Sequence, residues 1–448
     1  MDDDEIFGPP KIPEQLRMIW PVPSLHHSAG LPDMVEAERD PVLFPLANVD
    51  DATVRAEYVE RQVRRKKFPS EVIDKIVYDA VEPSPFVGKR KKKKKKKQDK
   101  SSETIDLPIK ESQFGQLPPW YVPKARDKTL VFESRFESGN LRRAVQIYDF
   151  EYDLIAKPDM YTSRHTQWFF FSVTNALPNR RYTFNIINML KSDSLFNDGM
   201  QPLMFSVESN QGWVRCGEKI VYTSNDLKHD SGNFYTVTFT VTMPDTTDND
   251  TIYFAYCYPY TYTDLKRYLH TISAAGATDS FMRTEVLCKT LSGNSCPLLT
   301  ITNFETEPSR IQLRRGIVIT ARVHPGETNA SWMMKGVIDY LCSDTLDAKI
   351  LRDNFVFKIV PMLNIDGVVC GNYRCNLAGV DLNRQYLDPS QSQHPTIYHL
   401  RKMVKEFQAA HNVLMAVDLH GHSRQKNVFM YGCCDKEPTR VARIRGND

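Results

Sequence analysis

The chain has 448 residues, which is enough for two or three domains with a sizeable apolar core and excludes a miniprotein. Lysine and arginine together number 58, and aspartate and glutamate 55, so the formal net charge is only +3 at pH 7. This balance favours no particular partner.

The composition also argues against a secreted or membrane-spanning protein. The opening residues, MDDDEIFGPPKIPEQ, have neither the basic region nor the apolar stretch of a secretory signal. No segment reaches the uninterrupted apolar length that a bilayer crossing requires. Nine cysteines occur at irregular spacing in a chain too long to depend on disulfide bonds, which favours a reducing compartment. We therefore expect a soluble cytoplasmic protein without a membrane partner.

Residues 1–125 are rich in proline and charge and are predicted to form a flexible arm, with a short helical signal at 51–65. The arm contains an uninterrupted basic run at 89–97, which cannot fold on itself. This run could bind nucleic acid, serve as a nuclear address, meet an acidic protein surface or be a solvated linker. No aromatic residues interleave it, so nucleic acid is the least favoured of these partners.

Residues 126–285 have the pattern of short strands. In YTVTFTVTM at 235–243, apolar residues alternate with threonine, which is the period of a β-strand. Further strand patterns, separated by Asn, Asp, Gly and Pro clusters, are QWFFFSVT at 167–174, RYTFNII at 181–187 and TIYFAYCY at 251–258. The segment is therefore predicted to be an antiparallel β-sandwich. It contains no catalytic constellation that we recognise.

Residues 290–432 change to longer apolar runs. Those with the pattern of central strands in a covered sheet are GIVITARV at 316–323, FVFKIVPML at 355–363 and VLMAVDL at 413–419. Helical patterns at 331–342 and 394–411 separate them, and NVFMYG at 427–432 is predicted to be a further strand. Strands alternating with helices predict an α/β fold with a mixed sheet and helices on both faces.

Two of these strands end in potential metal ligands. His324 and Glu327, in the sequence HPGE, follow the first run, and His420 follows the last. Ligands bind beyond the carboxyl ends of strands in such sheets, and a catalytic zinc ion takes three protein ligands, commonly two histidines and a carboxylate. His422 is a rival to His420, and strand-end histidines are often only hydrogen-bonded. The pattern alone thus leaves a zinc site and an ordinary polar cluster both open.

A second cluster lies in NYRCNLAGVDLNR at 372–384. Arg374 and Arg384 could hold a carboxylate or stabilise an oxyanion, with Asn383 beside them. Asp381 could accept the free N–H of a metal-bound histidine. The alternative is an ordinary surface loop of paired arginine and aspartate. Zinc beside arginines favours hydrolysis of a substrate with a free carboxylate.

In this order, HPGE, NxDG, NYRCxLAGxDLNR and DLHGHS resemble the cytosolic carboxypeptidases, a subfamily of the M14 zinc metallocarboxypeptidases. FESRFESGNL at 132–141, HTQWFFF at 165–171 and YPYTYTDL at 258–265 resemble the sandwich domain of the same subfamily. The resemblance implies that His324, Glu327 and His420 bind one Zn²⁺. It also implies that Asp381 orients His324 and that Arg374 polarises the scissile carbonyl and stabilises the oxyanion.

By the same resemblance, Asn383 and Arg384 grip the terminal carboxylate of the substrate. The family removes C-terminal glutamates, including those of polyglutamylated tubulin, which implies such proteins as partners and an association with microtubules or cilia. An acidic partner would give the basic run a purpose. The alternative is a non-catalytic module that binds microtubules or another acidic protein and has a vestigial zinc site.

In the family, strands beyond the third zinc ligand supply a tyrosine and the glutamate that acts as general base. Here the residues 433–448 form a predicted polar tail, and the glutamates beyond Glu327 are Glu406 and Glu437. Neither matches the position of the family's base, and a hydrolytic zinc site needs a carboxylate to take the proton. We therefore expect a partial catalytic domain that binds zinc poorly and hydrolyses nothing efficiently.

Overall fold

The computed structural model of the chain describes residues 52–80, 120–209, 211–274 and 278–432. Within these ranges a pair of β-sheets precedes a third sheet that is flanked by helices. The basic run at 89–97 and the tail at 433–448 lie outside the described residues, so the expectations for both stay predictions. Among the described residues, no helix combines the length and apolar character needed to span a bilayer.

The first part of the described chain opens with helix α1 (Ala52–Lys67). The strands that follow are β1 (Lys75–Asp79), β2 (Val131–Glu133), β3 (Arg143–Tyr148), β4 (Glu151–Ile155), β5 (Phe170–Thr174), β6 (Arg181–Met189), β7 (Leu203–Ser206), β8 (Val214–Arg215), β9 (Glu218–His229), β10 (Gly232–Thr242) and β11 (Ile252–Ala255). They form a six-stranded sheet in the order β1-β3-β4-β6-β10-β9 and a five-stranded sheet in the order β2-β5-β11-β7-β8. Short 3₁₀ helices lie at Pro69–Glu71 and Leu195–Asp198.

Aromatic side chains fill the space between these two sheets. Phe184 of the six-stranded sheet has its ring centroid 5.1 Å from that of Phe254 and 5.8 Å from that of Phe171, both on the five-stranded sheet. Such contacts contribute packing beyond the burial of apolar area. The predicted sandwich is confirmed, with one difference. Strands β4 and β6 pair in parallel, so the sandwich is not antiparallel throughout.

The arm predicted for residues 1–125 is wrong for the described residues 52–80, and Trp120 and Tyr121 near its end are buried in the sandwich core. Strand β1 pairs antiparallel with β3 and extends the six-stranded sheet, with Ile76 opposite Val145. The helical signal at 51–65 is confirmed as α1, where Arg65 lies 2.6 Å from Asp153 of β4. Residues 52–80 are ordered because the six-stranded sheet supplies backbone hydrogen-bond partners and carboxylates. These partners lie far away in the sequence, so local patterns do not predict them.

The second part begins at helix α2 (Tyr262–Ala274). Its further helices are α3 (Pro308–Gln312), α4 (Thr328–Cys342), α5 (Leu346–Asn354), α6 (Ile365–Cys370) and α7 (Pro395–His411), with a 3₁₀ turn at Leu382–Arg384. Its strands are β12 (Met282–Lys289), β13 (Ser295–Ile301), β14 (Arg315–Ala321), β15 (Phe355–Val360) and β16 (Val413–Leu419). They form one sheet in the order β12-β13-β15-β14-β16.

Strand β14 lies between two parallel neighbours in this sheet. Ile317 pairs with Phe357 of β15, and Ile319 pairs with Val417 of β16. Strands β12 and β13 run antiparallel, so the sheet is mixed, as predicted. The strand expected at 427–432 is absent from the described residues, where this segment belongs to no sheet and Val428 is 91% exposed. An apolar run cannot form a strand of a sheet without a neighbouring strand to pair with.

The boundary between the two parts lies earlier than the predicted positions of 285 and 290. Tyr262 and Leu265 of α2 belong to the apolar core of the α/β part, and Met282–Lys289 is a strand of its sheet. In the opposite direction, Tyr373 lies in the α/β part but is 7% exposed and packs within the sandwich core. The two parts are therefore joined by buried side chains as well as by the chain itself.

Candidate metal centre

Strands β14 and β16 bring the predicted ligands to one edge of the sheet. They run parallel, and their last residues, Ala321 and Leu419, are opposite one another. His324 follows β14 by three residues, Glu327 immediately precedes α4, and His420 directly follows β16. The carboxyl ends of two neighbouring parallel strands thus bring His324 and Glu327 together with His420, which lies 93 residues beyond Glu327 in the sequence.

The two histidines face the same carboxylate through the same ring atom. Nδ1 of His324 lies 2.9 Å from Oε1 of Glu327, and Nδ1 of His420 lies 3.2 Å from Oε2. One ligand atom from each of the three residues can be chosen so that all lie within 4.8 Å of one another. The donor set, two imidazoles and a carboxylate, is that of catalytic zinc sites that keep an open position. The three residues therefore fit a zinc ion.

A second carboxylate holds each ring from its other side. Nε2 of His324 lies 3.2 Å from Oδ1 of Asp381, and Nε2 of His420 lies 2.7 Å from Oδ2 of Asp418. Such contacts fix the tautomer and orientation of a metal-binding histidine. The position of Asp381 agrees with the orienting role expected for it, whereas Asp418 adds an equivalent residue for His420.

This network strongly perturbs the titration of its members. Burial alone would raise the pKa of Glu327, but hydrogen bonds with His324 and His420 outweigh it and lower the pKa to about 2. Burial alone would lower the pKa of His420, but its contacts with Asp418 and Glu327 raise it to about 10. The pKa of Asp381 is lowered too, because its contacts with His324 and Arg374 outweigh burial. Clusters of perturbed pKa values are typical of functional sites.

The arginine cluster adjoins this network. Nε of Arg374 donates to Oδ2 of Asp381 at 2.7 Å, and the backbone N–H of Asn383 donates to Oδ1 of the same carboxylate at 2.9 Å. Asn383 and Arg384 lie on the 3₁₀ turn Leu382–Arg384, where Arg384 is exposed. The structure thus links Arg374 directly to the His324 network and places Asn383 beside it, while their substrate contacts remain proposals.

Two alternatives considered for the site lie apart from it. His422 is exposed, and its Nδ1 accepts hydrogen bonds from the backbone N–H groups of Arg424 and Gln425 in a local turn. Glu406 lies on the exposed side of α7, 3.9 Å from Lys402 one turn away. The second candidate base, Glu437, lies outside the described residues. His420 rather than His422 therefore completes the cluster.

Three residues at or near the site were missed by the sequence interpretation. Asp418 precedes His420 by two residues in the sequence DLH, so this carboxylate could have been identified from the sequence alone. Asp159 of the sandwich accepts hydrogen bonds from the backbone around Arg374, and Lys191 of the sandwich donates to the hydroxyl of Tyr373 at 3.0 Å. The contacts of Asp159 and Lys191 join residues about 200 positions apart in the chain, and no local sequence pattern predicts them.

Fold and site together define a metallopeptidase-like α/β domain preceded by a β-sandwich. Residues 267–444 match a family model described as zinc carboxypeptidase, and residues 132–257 match one described as cytosolic carboxypeptidase N-terminal domain. The chain therefore belongs to the cytosolic carboxypeptidases of the zinc carboxypeptidase family. The predicted resemblance and fold class are confirmed.

Individual relatives agree with this assignment. Cytosolic carboxypeptidase 3 of Mus musculus is 48% identical over 312 residues, which cover 68% of this chain and 30% of that protein. Cytosolic carboxypeptidase 2 of Homo sapiens is 47% identical over 311 residues, which cover 68% of this chain and 34% of that protein. The chain thus spans about a third of the length of these relatives.

Among solved structures, the chain is similar to a metallo-carboxypeptidase from Pseudomonas aeruginosa in complex with (2-guanidinoethylmercapto)succinic acid. The TM-score is 0.50 at 25% sequence identity, over 65% of this chain and 69% of that chain. The structural similarity therefore extends over about two thirds of each chain.

Proposed function

We propose that the protein is a zinc metallocarboxypeptidase that removes C-terminal glutamates from polyglutamylated proteins such as tubulin. The observation that carries the proposal is the convergence of His324, Glu327 and His420 at one sheet edge, with ligand atoms within 4.8 Å of one another. Arg374 is connected to that cluster through Asp381. A metal centre beside a fixed guanidinium suits hydrolysis of a peptide that ends in a free carboxylate.

Each residue of the centre would have a separate task. Zinc held by these three side chains would supply a Lewis acid and lower the pKa of water. Asp381 and Asp418 would hold the two imidazole rings in place. Arg374 would stabilise the negative charge that develops on the scissile carbonyl oxygen, because a guanidinium has five N–H donors and its contact with Asp381 uses the one on Nε.

Asn383 and Arg384 would hold the terminal carboxylate of the substrate. The preference for glutamate is supported by the family resemblance and by cationic side chains near the centre, which include Arg374 and, from the sandwich, Lys191. Burial and the nearby Arg374 lower the pKa of Lys191 to about 8, which is still high enough to leave most of this side chain protonated at neutral pH. We propose that the protein works in the cytoplasm, on microtubules or in cilia, with neither membrane nor nucleic acid as a partner.

Hydrolysis also requires a group that takes the proton from water. Of the two glutamates beyond Glu327, Glu406 is exposed on α7 and pairs with Lys402. A general base must come within hydrogen-bond reach of the water it activates. The sequence-based expectation of poor zinc binding and inefficient hydrolysis stays a prediction, and the turnover and zinc measurements below decide between it and the proposed activity.

The test is glutamate release from a peptide ending in several glutamates, measured for the 448-residue chain with and without a zinc chelator. The His420→Ala variant should lose both zinc and activity. His422→Ala is the matched control and should keep both, because the described hydrogen bonds of His422 lie in a local turn and its ring contacts Phe429, both apart from the metal ligands.

The outcomes separate the possibilities. Chelator-sensitive release would support the peptidase and show that the chain contains its own proton acceptor. Zinc retained by the parent and lost in His420→Ala, without turnover, would mean a metal site without a base. Salt-sensitive binding to tubulin with neither zinc nor turnover would favour the non-catalytic binding module instead.

A further inference from the structure

Asp159 of the sandwich holds the backbone on which Arg374 stands. This aspartate follows β4 and is 1% exposed. Its Oδ1 accepts from the backbone N–H of Tyr373 at 2.6 Å, and its Oδ2 accepts from those of Arg374 and Cys375 at 2.7 Å each. Three consecutive N–H groups converging on one carboxylate fix the local backbone, because hydrogen bonds to a charged acceptor are about twice as strong as neutral ones.

Further hydrogen bonds from the sandwich hold the backbone just before residues 373–375. The backbone carbonyl of Gly371 accepts from Nδ2 of Asn140 at 3.0 Å, and that of Val369 accepts from the N–H of Ser138 at 2.9 Å. Gly371 adopts a φ of +74°, and a Cβ atom there would lie 2.6 Å from the carbonyl oxygen of Gly139. The two backbones approach too closely for a side chain, so the segment entering residues 373–375 has little room to move.

Arg374 is therefore anchored at both ends. Asp159 holds its backbone from the sandwich, while Asp381 holds Nε of its side chain from the α/β part. A guanidinium fixed in this way can be aimed at a substrate oxygen before the substrate arrives. Such preorganisation is a major part of electrostatic catalysis, and displacement by about 1 Å can cost a factor of roughly 100 in rate.

We propose that Asp159 is a positioning residue for Arg374, so that the sandwich contributes to the peptidase site without touching the substrate. This inference rests on the proposed function for its catalytic consequence. Its structural part, the fixing of residues 373–375 by one carboxylate, does not depend on turnover. The structural claim and the catalytic claim can therefore be refuted separately.

The first measurement is hydrogen exchange of the full chain, followed by mass spectrometry, in the Asp159→Asn variant. An asparagine offers one acceptor oxygen in place of two, so at least one of the three N–H groups loses its partner. We expect exchange at residues 373–375 to become about tenfold faster, as the loss of one hydrogen bond implies. Helix α4 should exchange as in the parent. Unchanged exchange at 373–375 would overturn the proposal.

Asp250→Asn is the matched control. Asp250 is also a sandwich aspartate with 1% exposure, and it accepts from the backbone N–H of Glu208 at 3.1 Å. Its loss should loosen the sandwich locally and leave exchange at 373–375 unchanged. Equal loosening of that segment in both variants would mean that Asp159 acts only through the general stability of the sandwich.

The second measurement is a double-mutant cycle with Arg374→Ala, using glutamate release by the zinc-loaded chain. A positioning role predicts that Asp159→Asn lowers kcat by about 10- to 100-fold with little change in KM. In the Arg374→Ala background the same substitution should have no further effect. Asp159→Glu, which keeps two acceptor oxygens, should recover part of the loss. Independent, multiplicative effects of the two substitutions would refute a role through Arg374.

If the parent releases no glutamate, the proposed function fails, but the positioning proposal does not fail with it. The exchange rates at residues 373–375 then decide the inference. Faster exchange of this segment in Asp159→Asn than in Asp250→Asn supports it, and equal rates in the two variants overturn it.

Discussion

Nε2 of His420 lies 2.7 Å from Oδ2 of Asp418, two residues earlier in the chain, while Oδ1 of the same carboxylate accepts from the hydroxyl of Thr320 at 2.7 Å. Strand β14, which leads to His324, therefore also helps to orient His420. The two histidines of the centre are coupled by the register of β14 and β16, in which Thr320 is opposite Asp418.

This relationship predicts the effect of replacing Asp418. Asp418→Asn should lower zinc affinity by about tenfold, and Asp418→Ala by up to about 100-fold, because an orienting carboxylate raises the basicity of its histidine. Competition with a chromophoric chelator measures both. Asp388→Asn, in an exposed loop, is the control and should bind zinc as the parent does. Equal affinity in all four proteins would show that Asp418 does not support the metal.

Metal removal should lower the stability of the folded chain. Zinc bound only to the folded state stabilises it by about 2.7 kcal/mol at a free concentration 100 times the dissociation constant. Urea unfolding with zinc and with a chelator should therefore give different midpoints. The difference should vanish in His420→Ala, which lacks the third ligand. A urea unfolding midpoint of the parent that is the same with and without zinc would contradict an assembled metal site.

Asp159 should make stability depend on pH. Burial raises its pKa from 3.8 to about 6, against the opposing effect of three backbone N–H groups. The folded chain thus holds this proton more tightly than the unfolded chain, so the contribution to the free energy of unfolding is complete below pH 4. It is lost as the pH rises through 6, by up to about 3 kcal/mol.

Asp159→Asn removes that titration. The parent should therefore lose stability relative to the variant between pH 4 and pH 7, as urea unfolding at several pH values would show. Asp159→Ala should give the same slope at a lower absolute stability. Curves for parent and variants that run parallel across this range would rule out a raised pKa for Asp159.

Two glycines of the α/β part offer a matched pair for packing. A Cβ atom at Gly316 would lie 2.6 Å and 2.7 Å from two ring atoms of Phe407 on α7, whereas one at Gly336 would meet nothing within 4 Å. Gly316→Ala should destabilise the chain by about 1–3 kcal/mol through overpacking. Gly336→Ala should stabilise it by about 0.5–1 kcal/mol, because alanine favours the helix. Chemical denaturation measures both, and destabilisation by Gly336→Ala would contradict this account of α4.

The sequence predicted the parts of the structure that depend on local patterns. Alternation identified β10, and continuous apolar runs identified β14, β15 and β16. The ligand positions followed because His324 and His420 each come just after such a run, and parallel strands end at a common edge. The centre could therefore be located from the sequence without knowing which strands are neighbours.

The remaining features depend on partners far away in the chain. Strand β1 is short and flanked by charge, and it becomes a strand only because β3 lies beside it. The segment at 427–432 has a strand pattern but no strand neighbour among the described residues. Asp159 lies more than 200 residues from Arg374, so its role is visible only in three dimensions. Local sequence does not encode these pairings in a readable form.

Tyr373 gives the joined cores a consequence for protein engineering. Its ring lies within the sandwich core, and a Cβ atom on Gly326 of the HPGE segment would come within 2.4 Å of it. A chimaera that joined the α/β part to an unrelated domain would keep all three candidate metal ligands but would lose the sandwich core in which this ring packs. The sandwich and the α/β part should therefore be transferred together. A substitution that alters the packing on one side of Tyr373 must be matched by a compensating substitution on the other.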